Sequence, residues 1–427
     1  MTTPQRRAAT AFLAVAATAG LLLSACAPTG GDDADEKVTL RLVWWGSDDR
    51  AAVTRAAVDA FEDAHPNITV ETESLPFDGY FDRLSTQVAA NDAPDVQQLT
   101  GDFVVEYGTR GALLDLANVS TDLLDPATTS VVNFDGEQLG VPTGIATFAI
   151  VANPTIFEQA GVPMPDDESW TWEEYAQIAQ QISASTPDGI FGTQSLGSDS
   201  NQIAMWARQH GGDLFTADGQ LGTDEKTVAG FYAFAKELVA SGAAPSADEA
   251  IEQIPLGSNR PEPPSTATRW ASGRPTSSSL EQISKSGLEL LRYPTTSGKA
   301  GDQKMSFVAS QYWSASARTE HPEEAQLLID FLANSPEAGK LLLVGRGSPA
   351  NSEVRDALLP LLSADDAKVV DFVAEISDEV VATPLAPAGG ASFQENMRRY
   401  TAEVLFDRMS PEDASAALLD ETRAALG

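Results

Sequence analysis

The sequence predicts an α/β fold arranged as two domains, on three observations. The chain has 427 residues, more than one domain usually holds. Its first hundred or so folded positions alternate strand and helix patterns, the order that builds helix-covered, mostly parallel sheets. A long extended run, Gly140–Asn153, then has no helix break, as a strand passing between domains would.

Val38–Val43 alternates and is β-branched, so it reads as a strand that ends at Trp44-Trp45-Gly46. Asp49–His65 places Ala52, Val53, Ala56, Ala57, Ala60 and Phe61 at helical spacing, and Pro66-Asn67 stops the helix. Ile68–Glu73 is a second strand, Asp82–Ala90 a helix and Pro94–Leu99 a short strand. After the extended run, Thr171-Trp-Glu-Glu174 is a capping box that opens a helix to about Ser183. Helices follow at Ile203–Gln209 and Asp224–Ser241. Pro255–Ser279, rich in Pro, Ser, Thr and Arg, reads as loop around one helical turn, and Met305–Val308 as a return strand. Pro322–Ala333 and Pro336–Leu343 are helices with proline near the first position. Glu353–Val380, Phe393–Met409 and Pro411–Leu426 are largely helical.

The chain opens with Arg6-Arg7, an apolar run from Ala8 to Leu23, and Leu23-Ser24-Ala25-Cys26. A basic start, a short apolar stretch and a small-residue cleavage site make residues 1–25 a secretory signal. The run is shorter than the ~20 residues of a membrane span. Cys26 is the only cysteine, so an internal disulfide is impossible. Residues 26–36 read as a flexible acidic tether.

The chain carries 27 basic and 62 acidic residues, a formal charge of −35. Arg6 and Arg7 are the only charges of the signal, so its removal leaves −37. That excludes nucleic acid as a partner, which needs a basic footprint. The three histidines, His65, His210 and His321, form no metal-binding pair. No nucleophile elbow, phosphate loop or dinucleotide fingerprint is present, so neither catalytic residues nor a cofactor is expected.

In order and spacing, several segments resemble the extracellular solute-binding proteins of sugar-type ABC importers, the family that includes maltose-binding protein. They are Phe61–Val70 with its His-Pro-Asn-Ile turn, Ala93-Pro-Asp-Val96, Gly111–Leu116, Asp135–Pro142, Asn153–Gly161, Thr171–Glu174, His321–Ala325, Phe331-Leu332, Gly345–Pro349 and Ser410–Ala414. Leu-Ser-Ala-Cys26 likewise resembles the lipobox of bacterial lipoproteins, which implies a diacylglycerol on Cys26. The resemblance implies a two-lobed fold of the periplasmic-binding-protein type (type II). Lobe one would span 37–145 plus 306–346, and lobe two 146–305 plus 347–427. It implies strand crossings near Gly144–Ala149, Phe307–Gln311 and Arg346–Asn351. It further implies a monomer on the outer face of the cytoplasmic membrane that delivers a mono- or oligosaccharide to permease subunits.

A sugar site stacks aromatics on apolar ring faces and sets polar side chains around the hydroxyl rim. In open α/β sheets it lies beyond the carboxyl ends of the strands. These rules select Trp44 and Trp45, of which alternation turns only one into a cleft. They also select Gln97, Gln98 and Asp102 after the third strand, Thr143 and Thr147 in the first crossing, and Trp206 before Gly211-Gly212. Tyr312 and Trp313 follow the return strand, and Arg346 is a donor for a hydroxyl or an acid. Core or helix packing is the competing reading for the tryptophans, and a surface salt bridge for Arg346. Two other functions stay open: the same fold with a polyamine, phosphate ester or metal complex, and a secreted carbohydrate-active enzyme.

Overall fold

A computed structural model of the chain describes residues 37–77, 79–253, 266–272, 287–387 and 389–427. The signal, Cys26 and the tether lie outside the described residues.

The first half forms as its patterns predict. Strand β1 (Val38–Trp45) pairs in parallel with β2 (Ile68–Leu75) and β3 (Val96–Leu99). Helix α1 (Asp48–Ala64) starts where the Ser47 side chain accepts from Arg50 N at 3.3 Å, with Asp48 and Asp49 favourably placed at the positive end of its dipole. Its buried face, Ala51, Thr54, Ala57, Val58 and Phe61, covers one side of the sheet. Helices α2 (Tyr80–Ala89) and α3 (Gly101–Thr109) contribute to the core on the other side.

A short α4 (Pro126–Thr129) and the hairpin β4 (Asn133–Phe134) and β5 (Glu137–Gln138) lead into β6 (Val141–Ala152). Beyond it come α5 (Pro154–Ala160), α6 (Trp172–Ser185), β7 (Phe191–Thr193), α7 (Ser200–Gln209), α8 (Glu225–Ala240) and α9 (Ala247–Gln253). The capping box closes at α6: Thr171 N donates to Glu174 at 2.8 Å, and Glu174 N to Thr171 Oγ1 at 3.2 Å. Strands β8 (Thr266–Ser272), β9 (Glu289–Leu291) and β10 (Phe307–Ala315) follow, then mainly helices to the C-terminus.

The strands join in the order β2-β1-β3-β10-β6-β8-β7, with β9 also on β6. The expected mostly parallel sheet is mixed. β10 runs antiparallel to β3 and β6, and β8 antiparallel to β6, because these strands return the chain between its two halves. Two readings change. Thr266–Ser272, expected as loop, is a strand, because it finds the open edge of Phe148–Ala152; the rest of that stretch lies outside the described residues. The return strand also runs well past Val308, to Ala315.

Candidate functional site

The geometry turns on β6. Its first part, Val141–Thr147, pairs with β10, and its second, Phe148–Ala152, with β8 and β9. The switch lies between Thr147 and Phe148. There Thr147 Oγ1 donates to Ser306 O at 3.1 Å, tying β6 to the start of β10. A third segment crosses beside them: Ile145 N donates to Ser348 O at 2.7 Å and Ser348 N to Ile145 O at 3.1 Å. Glycine is required at 144, since a Cβ there would stand 2.4 Å from Arg346 O. Ser310 Oγ adds a bond to Gly144 O at 3.0 Å and one to Arg346 O.

The carboxyl ends of β1, β2 and β3 converge on an aromatic group. Trp45 ends β1 and lies 5.8 Å from Phe77 just past β2, 5.1 Å from Tyr80 and 5.3 Å from Phe81 in α2. Phe81 stacks at 3.9 Å on Phe103 in α3. Tyr80 donates from its hydroxyl to Gln98 O at 2.8 Å, and burial raises its pKa well above the usual phenol range.

Trp44 points to the opposite face, into the larger core. The register of β1 on β3 and of β3 on β10 places Trp44, Gln98 and Trp313 side by side on that face. Arg346 lies over them. Its guanidinium is 5.1 Å from the Trp313 ring, Nε donates to Gln98 Oε1 and Nη2 to Thr54 Oγ1, each at 2.9 Å. Burial, and secondarily the like charge of Arg50, lowers the Arg346 pKa. Trp44 Nε1, Gln97 Oε1, Gln98 Nε2 and Ser348 Oγ are buried with no hydrogen-bond partner among the described residues. Most buried polar atoms are paired, so this end of the sheet holds unused hydrogen-bonding capacity.

The other sequence-selected residues divide between core, surface and crossing. Tyr312 is buried, and its hydroxyl donates to Thr128 O at 3.3 Å. Asp102 is exposed at the start of α3, bonded by Thr100 Oγ1. Thr143 is half-buried within 3.5 Å of Gln311 Oε1. Trp206 is not brought to the others. It packs among Trp172, Phe231, Phe234 and His210, and its indole donates to Thr227 O at 3.1 Å.

A cavity of about 320 Å³ opens at the start of α7. Ser200, Asn201 and Arg208 wall it from α7, Asp213 and Phe215 from the turn behind, and Phe393 and Gln394 from the C-terminal part. Arg208 Nη1 reaches Asp213 Oδ1, and Nη2 reaches Ser306 Oγ at the crossing, both at 3.3 Å. Burial raises Asp213 and lowers Arg208, and their attraction opposes both shifts. Pro384 and Ala386 also line the cavity. Leu385 between them packs in the other core, with Gly101 and Tyr312, as alternation in an extended segment allows. The cavity therefore adjoins the first part of the sheet. Sequence reading missed these residues. The signals present were Gly211-Gly212 and the acidic turn at Asp213–Gly219, and the Pro384–Gly390 cluster of proline and glycine.

A family model described as bacterial extracellular solute-binding protein matches residues 45–339. The chain is 28% identical over 339 residues to an uncharacterized lipoprotein of Streptomyces antibioticus, covering 76% of this chain and 72% of that one. It is 25% identical over 324 residues to the maltodextrin-binding protein of Bacillus subtilis, covering 74% and 70%. Among solved structures, an extracellular solute-binding protein of family 1 from Alicyclobacillus acidocaldarius superposes with a TM-score of 0.75. The two are 27% identical, over 92% of this chain and 99% of that one.

Proposed function

We propose, for a chain that belongs to the bacterial extracellular solute-binding protein family, that it captures a carbohydrate between two lobes and delivers it to the permease of an ABC importer. The observation that carries the reading is the switch of partners within β6, flanked by two further crossings. Few backbone links join the halves, so rotation at Thr147–Phe148 and Ser306–Phe307 can open and close the space between them. A ligand touching both halves favours the closed form through its differential affinity. The relative from B. subtilis, whose name assigns it maltodextrin, supports the ligand class.

The lobes we propose, bounded at the switch of partners, are 37–147 plus 307–346, and 148–306 plus 347–427. For the ligand site we propose the exposed Asp102 and the half-buried Thr143, backed by the buried Trp45, Gln97, Gln98 and Arg346 and joined from lobe two by the cavity at Arg208 and Phe215. Trp44, Thr147, Tyr312 and Trp313 frame that site, and Trp206 supports α7. The protein acts by binding, without chemistry on the sugar, as a monomer. Residues 1–25 are removed, and Cys26 then carries the lipid that holds the protein at the outer face of the cytoplasmic membrane. No helix among the described residues is long and apolar enough to cross a membrane.

Thermal-shift measurements against a panel of sugars, polyamines and phosphate esters test the ligand class. A sugar that binds the folded form raises the melting temperature by mass action. A response to another class alone overturns the carbohydrate reading, and hydrolysis of a bound sugar overturns the transport reading. Detergent partitioning of the exported wild type against Cys26→Ala tests the anchor, which is refuted if both enter the aqueous phase.

A further inference from the structure

The proposed carbohydrate reading leaves open whether the ligand is one ring or a chain of rings. Phe77 bears on that. It is the most exposed large apolar side chain among the described residues, with 56% of its surface in water. A lone exposed hydrophobic residue needs no explanation, but Phe77 is not alone. It is the outermost ring of the group formed by Trp45, Tyr80, Phe81 and Phe103 at the carboxyl ends of β1, β2 and β3. That edge is where open α/β sheets bind ligands.

Phe77 is also held in place. Trp45 meets it at 70° and Phe81 at 80°, each with centroids 5.8 Å apart. Two nearly perpendicular neighbours restrict the ring, so less side-chain entropy is lost when something stacks on it than for an unsupported ring. Gly79 makes the turn behind it with φ of 84°, a conformation that costs glycine little. The outcome is a supported, wet aromatic ring at the carboxyl edge of the sheet.

Its distance from the crossing identifies what it would bind. Phe77 follows β2, the edge strand, and β6 lies four places along the order β2-β1-β3-β10-β6. Strands are spaced by about 4.8 Å, so the two are separated by roughly 19 Å. One sugar ring cannot touch both. A chain of rings can, running from the crossing along the aromatic edge to Phe77.

We infer that Phe77 is the outer stacking platform of an extended cleft, and that the ligand is an oligosaccharide. The inference rests on the carbohydrate reading above. The test is calorimetric titration of wild type, Phe77→Ala and Phe77→Tyr with three sugar series of graded length: glucose to maltohexaose, arabinose to arabinohexaose, and melibiose, raffinose and stachyose. In the series that binds, affinity should rise with length. Phe77→Ala should weaken the longest sugar by roughly five- to ten-fold, the worth of one aromatic contact, and leave the shortest bound sugar unchanged. Phe77→Tyr should restore wild-type affinity, and urea midpoints should agree among all three proteins. Unchanged affinity at every length overturns the inference, even if uptake falls, since Phe77 would then serve a permease contact. Equal weakening at every length overturns it too, as a structural effect. If no sugar binds wild type, the carbohydrate reading fails first.

Discussion

Gly144→Ala tests whether the three crossings are packed as one unit. The added Cβ would stand 2.4 Å from Arg346 O, 3.0 Å from Arg346 C and 3.1 Å from Ser348 O. All three are backbone atoms, so no rotamer change relieves the overlap. Either β6 and the 346–348 segment separate, or the strain remains. Separation threatens the two Ile145–Ser348 bonds, at 2.7 and 3.1 Å, each worth about 1 kcal/mol net. Retained overpacking costs about 1–3 kcal/mol. The two routes centre on a loss of about 2 kcal/mol, reduced by a few tenths by the lower entropy of the unfolded alanine chain.

The control is Gly108→Ala in α3. Its Cβ would meet Leu139 Cδ1 at 2.6 Å, but that is the end of a flexible side chain. The helix gains about 1 kcal/mol from alanine, so the net change should lie within about 1 kcal/mol of zero. Urea unfolding followed by tryptophan fluorescence reads both variants, because a shift in midpoint at constant slope is a shift in stability. The midpoint of Gly144→Ala should fall clearly below that of Gly108→Ala. If Gly144→Ala unfolds with wild type, the third crossing does not press on β6, and the proposed hinge is wrong.

Other substitutions separate packing from binding. Trp206→Ala should cost about 3–5 kcal/mol of stability, the loss expected for an aromatic removed from a packed cluster. Its sugar affinity, measured well below its melting point, should be unchanged; weakened binding with normal stability would return Trp206 to the cleft. Arg208→Met should lose about 3 kcal/mol because it leaves Asp213, 19% exposed, without its cation. Adding Asp213→Asn should recover part of that loss in urea unfolding, and no recovery would show that the pair is not coupled. Near the C-terminus, the Tyr400 hydroxyl donates to Glu421 Oε1 at 2.7 Å and holds the carboxyl below its ordinary pKa of 4.5. A carboxyl depressed on folding stabilises above its unfolded pKa, and that contribution is lost as pH falls through the folded value. Glu421→Gln should therefore lower the urea midpoint at pH 7, with the deficit shrinking as pH falls below the ordinary carboxylate range, and a deficit that does not change with pH would rule out the charge as the cause.

How much of this was legible in the sequence depended on how local the determining contact is. Strand β1, helix α1 and strand β2 follow from alternation, helical spacing and a His-Pro stop, all within a few residues of the feature they set. The β6 crossing was legible for a similar reason, since an unbroken extended run needs no partner to be seen. Strand β8 was not. Thr266–Ser272 lies in a stretch whose composition favours loop, and only the distant edge at Phe148–Ala152 makes it a strand. The site divides in the same way. Alternation shows that Trp44 and Trp45 face opposite sides, but not that α1 covers one face and an aromatic group the other, so both are buried. The cavity at the start of α7 is assembled from residues 200–215 and 383–394, two segments linked by no period or motif. Phe77 stands between these cases. In Leu75-Pro-Phe-Asp-Gly79, the proline and glycine announce a turn, and a phenylalanine within it departs from the polar chemistry that turns prefer. An apolar ring kept in water at the end of a strand is a local exception to folding rules, and such exceptions are where function is expected to override them.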